Sequence, residues 1–148
     1  RRDNFHLTLQ FLGEYPAAAC APLTAALTCT AQKHSPFSLT IAGLGAFPKG
    51  KEAIVWAGIN QGKGALITLF RTLEKELVQA GFPPAAKPLS PHITLGRRIH
   101  LVQSIEELNR SLPDLQAKFE VTSIALFVSE RNQENQLVYR ILSEVLLP

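Results

Sequence analysis

Two short stretches, far apart in the chain, alternate in the same way and carry the same polar pair. In Phe5-His-Leu-Thr-Leu-Gln-Phe-Leu12, the apolar residues Leu7, Leu9 and Phe11 interleave with His6, Thr8 and Gln10. In Pro91-His-Ile-Thr-Leu-Gly-Arg97, Ile93 and Leu95 interleave with His92 and Thr94. A strand repeats its side-chain direction every two residues, so each stretch can turn its apolar set into a core while His and Thr share the opposite face. A single His-x-Thr on a strand is an ordinary solvated face. With 4 histidines in 148 residues, two such pairs arise by chance in roughly 2% of sequences of this composition. The fold must therefore bury one face of two strands and leave both His-x-Thr faces open.

The segments between the two motifs specify their own structure. Gly13-Glu-Tyr-Pro16 reads as a turn, and the Ala-rich segment to about Lys33 as a helix with Leu23, Ala26 and Leu27 on its core face. Phe37–Ile41 alternates as a strand, Gly43, Gly45, Pro48 and Gly50 mark an irregular stretch, and Ala53–Ile59 is rich in β-formers. Leu66, Leu69, Phe70, Leu73 and Leu77 recur at helical spacing and stop at Gly81, a C-cap. Pro83, Pro84 and Pro88 keep the approach to the second motif extended. Ser104-Ile-Glu-Glu107 predicts a capping box on a short helix reaching Leu112. Phe119–Val128 and Leu137–Leu147 read as two long strands joined by a hairpin through Arg131–Asn135. The expected order is β-α-β-β-α-β-α-β-β: a single mixed α+β domain over residues 1–148, made of two similar lobes that face across a cleft.

Composition narrows the function. The chain is 46% hydrophobic and 18% charged, which suits a packed domain, and no apolar run approaches membrane-spanning length. No signal peptide is evident. A net charge of +3 suits an anionic partner. Cys20 and Cys29 fall nine residues apart in one expected helix, on opposite faces at about 100° per residue, so no disulfide joins them and a reduced, cytoplasmic setting is expected. The chain opens on Arg1-Arg2-Asp3-Asn4 and enters the first motif at once, from which a longer natural N-terminus is expected.

Two histidines facing one ligand suit acid–base chemistry, because the ordinary imidazole pKa near 6.5 lets one ring be neutral while the other is protonated. The Thr two residues on adds a hydroxyl about 6–7 Å along the same face. With the guanidinium of Arg97, two such arms form a cradle for a phosphate. Other routes lack their residues: Asp3 and Asp114 are the only aspartates, and no Walker loop or nucleophile elbow is present. A zinc site on His6 and His92 finds no further ligand cluster, so no metal or other cofactor is expected.

The segments Asn4-Phe-His-Leu-Thr-Leu-Gln-Phe-Leu-Gly-Glu14 and Pro91-His-Ile-Thr-Leu-Gly-Arg97 carry a wider resemblance, together with Phe37–Pro48 and Ile54-Val-Trp-Ala-Gly58 between them. In order and spacing they resemble the two-histidine phosphoesterase superfamily, in particular the 2′-5′ RNA ligase-like proteins, also called RNA 2′,3′-cyclic phosphodiesterases. The resemblance implies two pseudo-symmetric antiparallel-sheet lobes with helices packed outside and both motifs lining a central cleft. It implies metal-independent opening of a terminal 2′,3′-cyclic phosphate on RNA to a 2′-phosphate. In some members the reaction joins or cleaves 2′-5′ linkages between tRNA halves. It assigns His6 as proton donor to the leaving oxygen, His92 as proton acceptor from water, Thr8 and Thr94 as holders of phosphate oxygens, and Arg97 as a basic phosphate contact. Family members normally begin with a further strand and helix before the first motif, which this chain lacks.

Other residues have plainer readings. Gln10 is structural or solvated, His34 and His100 are ordinary surface or loop residues, and Trp56 and Phe11 belong to the core. Arg98, Lys49, Lys51 and Lys87 are solvated charges that could also guide an RNA backbone. Partners are then RNA ends bearing a 2′,3′-cyclic phosphate, such as tRNA fragments, with no membrane and a monomeric chain. The alternatives are a module that binds a nucleotide or RNA end without turnover, and a hydrolase of small cyclic nucleotides.

Overall fold

The computed structural model describes residues 4–148; Arg1, Arg2 and Asp3 lie outside the described residues. Its elements are α1 (Cys20–Ala31), β1 (Phe37–Lys49), β2 (Glu52–Gln61), α2 (Lys63–Gln79), β3 (His92–Ile99), α3 (Ile105–Ser111), β4 (Gln116–Val121), β5 (Ser123–Arg131) and β6 (Leu137–Leu146). The fold is α+β, with a four-stranded sheet in the order β3-β2-β1-β4 and a two-stranded sheet β5-β6. The pairs β1–β2, β2–β3 and β5–β6 are antiparallel. Among the described residues, no helix is long and apolar enough to cross a membrane.

The chain forms two compact units. The first holds the described residues up to Leu9, Ser38–Lys63 and Ser90–Phe119. The inner face of its sheet buries Leu39, Ala53, Ala57, Ile59 and Ile93, the period-two set expected of strands. α3 opens on the expected capping box: Ser104 Oγ accepts from the Glu107 N–H, and Glu107 Oε2 accepts from the Ser104 N–H. Asn109 on α3 then clamps β1, its Oδ1 accepting from the Leu44 N–H at 2.8 Å and its Nδ2 donating to the Leu44 carbonyl at 3.0 Å. A side-chain amide thereby satisfies a backbone pair as a neighbouring strand would.

The second unit holds Gln10–Phe37, Gly64–Leu89 and Glu120–Pro148. Pro16 precedes a single 3-10 turn, Ala17–Ala19, that leads into α1. α1 buries Leu23, Ala26 and Leu27 and packs on β5 and β6, where Thr24 Oγ1 donates to Ser143 Oγ at 2.9 Å. α2 buries Leu66, Leu69, Phe70, Leu73 and Leu77. It ends as expected at Gly81, whose φ of 91° lets its N–H reach the Val78 carbonyl and the Phe82 N–H reach the Leu77 carbonyl. The β5–β6 hairpin turns through Asn132, whose Oδ1 accepts from the Glu134 and Gln136 N–H groups.

Three expectations change. The first motif is not a continuous strand: in Phe5–Leu12 only Leu7 pairs, as an isolated bridge, and a bend at Leu9 ends the extended run. The Gly-rich stretch 43–50 is mostly strand, because Gly43, at φ 76°, seats an extra residue in β1 and the ladder resumes at Leu44. The long strand expected from Phe119 breaks at Thr122, and its two parts, β4 and β5, join different sheets. The sheets are thus unequal, with four strands and two.

Candidate active site

The motifs come from opposite halves of the sequence, and both belong to the first unit. Leu7 forms an antiparallel bridge with Ile93. Ile93 is buried and Leu7 half-buried, so both point to the inner side of the sheet. Carried one residue to either side on an antiparallel register, this bridge would set His6 opposite Thr94 and Thr8 opposite His92, on the outer face. Opposed residues in such a ladder stand about 4.5–5.5 Å apart at Cα, and diagonal ones such as His6 and His92 about 7–8 Å. That spacing admits a tetrahedral phosphate between two imidazoles, with a threonine beside each.

Both rings are oriented by the same local device. His6 Nδ1 lies 2.8 Å from the Asn4 carbonyl oxygen, and His92 Nδ1 lies 2.7 Å from the Ser90 carbonyl oxygen, two residues upstream in each case. A carbonyl only accepts, so Nδ1 carries the hydrogen in both rings and proton exchange falls to Nε2. A neutral ring held this way is a base at Nε2, and a protonated one is an acid at the same atom.

An aromatic corner borders His92. Phe47 meets its ring edge-on at 5.3 Å between centroids, Trp56 lies 6.0 Å away, and Phe47 and Trp56 are 5.3 Å from each other. The register accounts for this: Trp56 pairs with Thr94 on one side and Gly45 on the other, and Phe47 pairs with Ile54. The indole lies over Gly45, where a Cβ would come within 2.1 Å of it. Trp56 was expected in the core, but the buried residues of β2 are Ala53, Ala57 and Ile59, so position 56 faces outward with the histidine. That parity was visible in the sequence; the size and apolarity of tryptophan masked it. Phe47 reaches the same face only because of the extra residue at Gly43, which inverts the alternation. Phe11, also expected in the core, is 83% exposed, since the ladder that would have aligned it ends at Leu7.

Arg97 is brought to this face by a second irregularity. Thr94 pairs with Trp56, yet Gly96 pairs with the very next β2 residue, Val55. One additional residue in β3 therefore flips the parity, and Arg97 falls on the side of Ile54. It lies three positions beyond Thr94 and lines an open cavity with Lys49, Glu52, Ala53, Ile54 and Arg98.

Residues 1–133 match the family model of the 2′-5′ RNA ligase superfamily. The chain belongs to that superfamily. An RNA 2′,3′-cyclic phosphodiesterase of Aeropyrum pernix is 31% identical over 147 residues, covering 97% of this chain and 82% of that protein. One from Geobacillus stearothermophilus is 36% identical over 127 residues, 84% of this chain, though the chain spans only 40% of that protein's length. Among solved structures of similar fold, a phosphoesterase crystal structure superposes with a TM-score of 0.77 at 28% identity, covering 98% of this chain and 78% of that one. The crystal structure of E. coli LigT complexed with 3′-AMP gives 0.73 at 28% identity, over 99% and 79% of the two chains.

Within this member of the 2′-5′ RNA ligase superfamily, the remaining candidates lie elsewhere. His34 Nε2 is 2.9 Å from Thr72 Oγ1, joining the end of α1 to α2 beside the Lys33–Glu76 ion pair. His100 faces Glu52 at 3.6 Å. Gln10 and Lys87 belong to the second unit, and Cys20 and Cys29 are free thiols.

Proposed function

We propose that this chain hydrolyses terminal 2′,3′-cyclic phosphates of RNA to 2′-phosphates, using His6 and His92 without a metal ion. The observation that carries this reading is the matched pair of imidazoles, each fixed through Nδ1 to a carbonyl two residues back and each next in sequence to a residue of the Leu7–Ile93 bridge. The names of the relatives support the same substrate. His92, neutral at Nε2, takes a proton from water, and the oxygen attacks phosphorus in line. The bond from phosphorus to the 3′ oxygen breaks, and protonated His6 gives its Nε2 proton to that oxygen. Thr8 and Thr94 donate to the non-bridging oxygens, where charge accumulates, and Arg97 adds its guanidinium to the same anionic surface. We assign this to a single-domain, monomeric protein of the cytoplasm acting on RNA ends such as tRNA fragments; the two free cysteines fit a reducing compartment.

The deciding experiment is turnover of a cyclic-phosphate RNA end in EDTA. The product should be the 2′-phosphate, and His6→Ala or His92→Ala should each lower the rate by about 10²–10⁴-fold. Loss of activity with EDTA, or activity that survives both substitutions, overturns the reading. Tight binding with no product on prolonged incubation would instead identify a nucleotide- or RNA-end-binding module.

A further inference from the structure

The sheet face that carries His92, Thr94 and Phe47 ends where β1 turns into β2. There an open cavity of about 300 Å³ is lined by Lys49, Glu52, Ala53, Ile54, Arg97 and Arg98. Three of these six residues are cations and one is a carboxylate. His100 faces that carboxylate at 3.6 Å. Among the described residues, no carboxylate lies within ion-pairing distance of Lys49, Arg97 or Arg98. Arg98 also takes a φ of 57°, a left-handed backbone that long side chains seldom adopt. The ladder slips a second time around it, between the Val55–Gly96 and Ala53–Ile99 pairs.

The position of the cavity decides what it can bind. Lys49 lies four residues beyond Gly45, whose row across the sheet carries Trp56 and Thr94. Four residues of strand span about 13 Å, several times the roughly 3 Å over which one phosphate oxygen accepts a hydrogen bond. Phe47, 41% exposed, stands between them on the same face. Lys49 and Arg98 at one end, an accessible aromatic ring midway and a reacting phosphate at the other end match a single-stranded nucleic acid, which needs charge for its backbone and a ring for its bases.

We infer that this cavity is a subsite for a second phosphate, the diester preceding the terminal nucleotide, so that the protein takes the end of an RNA strand in preference to a free cyclic mononucleotide. The inference rests on His6 and His92 being the reacting pair. Lys49 and Arg98 hold the second phosphate, and Phe47 lies beneath the base between the two.

The test compares kcat/KM for a pentanucleotide ending in a cyclic phosphate with that for 2′,3′-cyclic AMP, in the native chain, Lys49→Gln and Arg98→Asn. Asparagine tolerates the left-handed backbone while removing the charge. The native chain should prefer the pentanucleotide. Each variant should lower that preference about tenfold through KM, the scale of one lost charge-assisted contact. The log–log dependence of pentanucleotide kcat/KM on salt should become shallower by about 0.7 per contact removed. Equal use of both substrates by the native chain overturns the inference. So does a preference that neither variant nor Lys49→Glu changes. A parallel loss of both activities overturns it too, since it assigns these cations to the reacting phosphate or to the fold. If neither substrate is turned over, the reading of the histidines fails, and anisotropy of a labelled 2′-phosphate pentanucleotide decides the subsite. Weaker binding by the variants then supports it, and equal binding refutes it.

Discussion

Replacing Gly45 with alanine should damage the site through one tryptophan. A Cβ at this position would lie 2.1, 2.2 and 2.5 Å from Cζ2, Cη2 and Cε2 of Trp56. To restore an ordinary contact of about 3.4 Å, the indole must retreat by about 1.3 Å. It is not free to do so cheaply, because its ring is seated between Phe47 at 5.3 Å and His92 at 6.0 Å. Overpacking of this kind costs about 1–3 kcal/mol. At about 3 °C per kcal/mol for a chain of this length, Tm should fall by several degrees. A displacement of about 1 Å beside a reacting group can cost up to about 10²-fold in rate, so on the proposed role of His92 kcat/KM on cyclic-phosphate RNA should fall by about 10–100-fold. Trp56 is the single tryptophan, and its fluorescence therefore reports the movement directly. The decisive arm is the double variant. In Gly45→Ala/Trp56→Phe the clashing ring atoms are absent, and no indole donor is left without a partner, as Nε1 is here among the described residues. The second substitution should therefore recover most of the stability lost by the first, a coupling of at least about 1 kcal/mol in a double-mutant cycle. If Gly45→Ala leaves Tm, emission and rate unchanged, or if the two substitutions are additive, the seat of Trp56 on Gly45 is not what shapes the site.

Other expectations test the elements that carry the site. Asn109→Ala removes both partners of the Leu44 backbone and should cost about 1–3 kcal/mol in urea denaturation; an unchanged midpoint would refute the clamp. Gly62→Ala combines a φ of 87° with a Cβ only 2.3 Å from the Ser38 carbonyl oxygen. Backbone cannot yield as a side-chain tip does, so destabilisation beyond about 2 kcal/mol is expected, and native-like stability would contradict the turn geometry. The pH profile of kcat/KM should be bell-shaped, since one imidazole must bind a proton and the other release one; a profile with a single limb would remove one histidine from the mechanism.

Local periodicity carried the helices and the motif chemistry. The apolar spacing of Leu66 to Leu77, the capping box at Ser104 and the turn at Asn132–Asn135 depend on residues within a few positions of one another, and each forms where the sequence places it. The His-x-Thr alternation likewise sets His92 and Thr94 opposite Ile93 without help from the rest of the fold. What alternation cannot report is where a ladder gains a residue or which strand lies alongside. The extra residues at Gly43 and near Leu95 invert parity, and through them Phe47 and Arg97 reach the face of His92. The single bridge from Leu7 to Ile93 joins segments 86 residues apart, a pairing that no local pattern encodes. Two His-x-Thr runs are thus a matter of sequence; their meeting at the Leu7–Ile93 bridge, and with it the proposed site beside Trp56, depends on long-range register, because facing residues are set by the partner strand rather than by the strand itself.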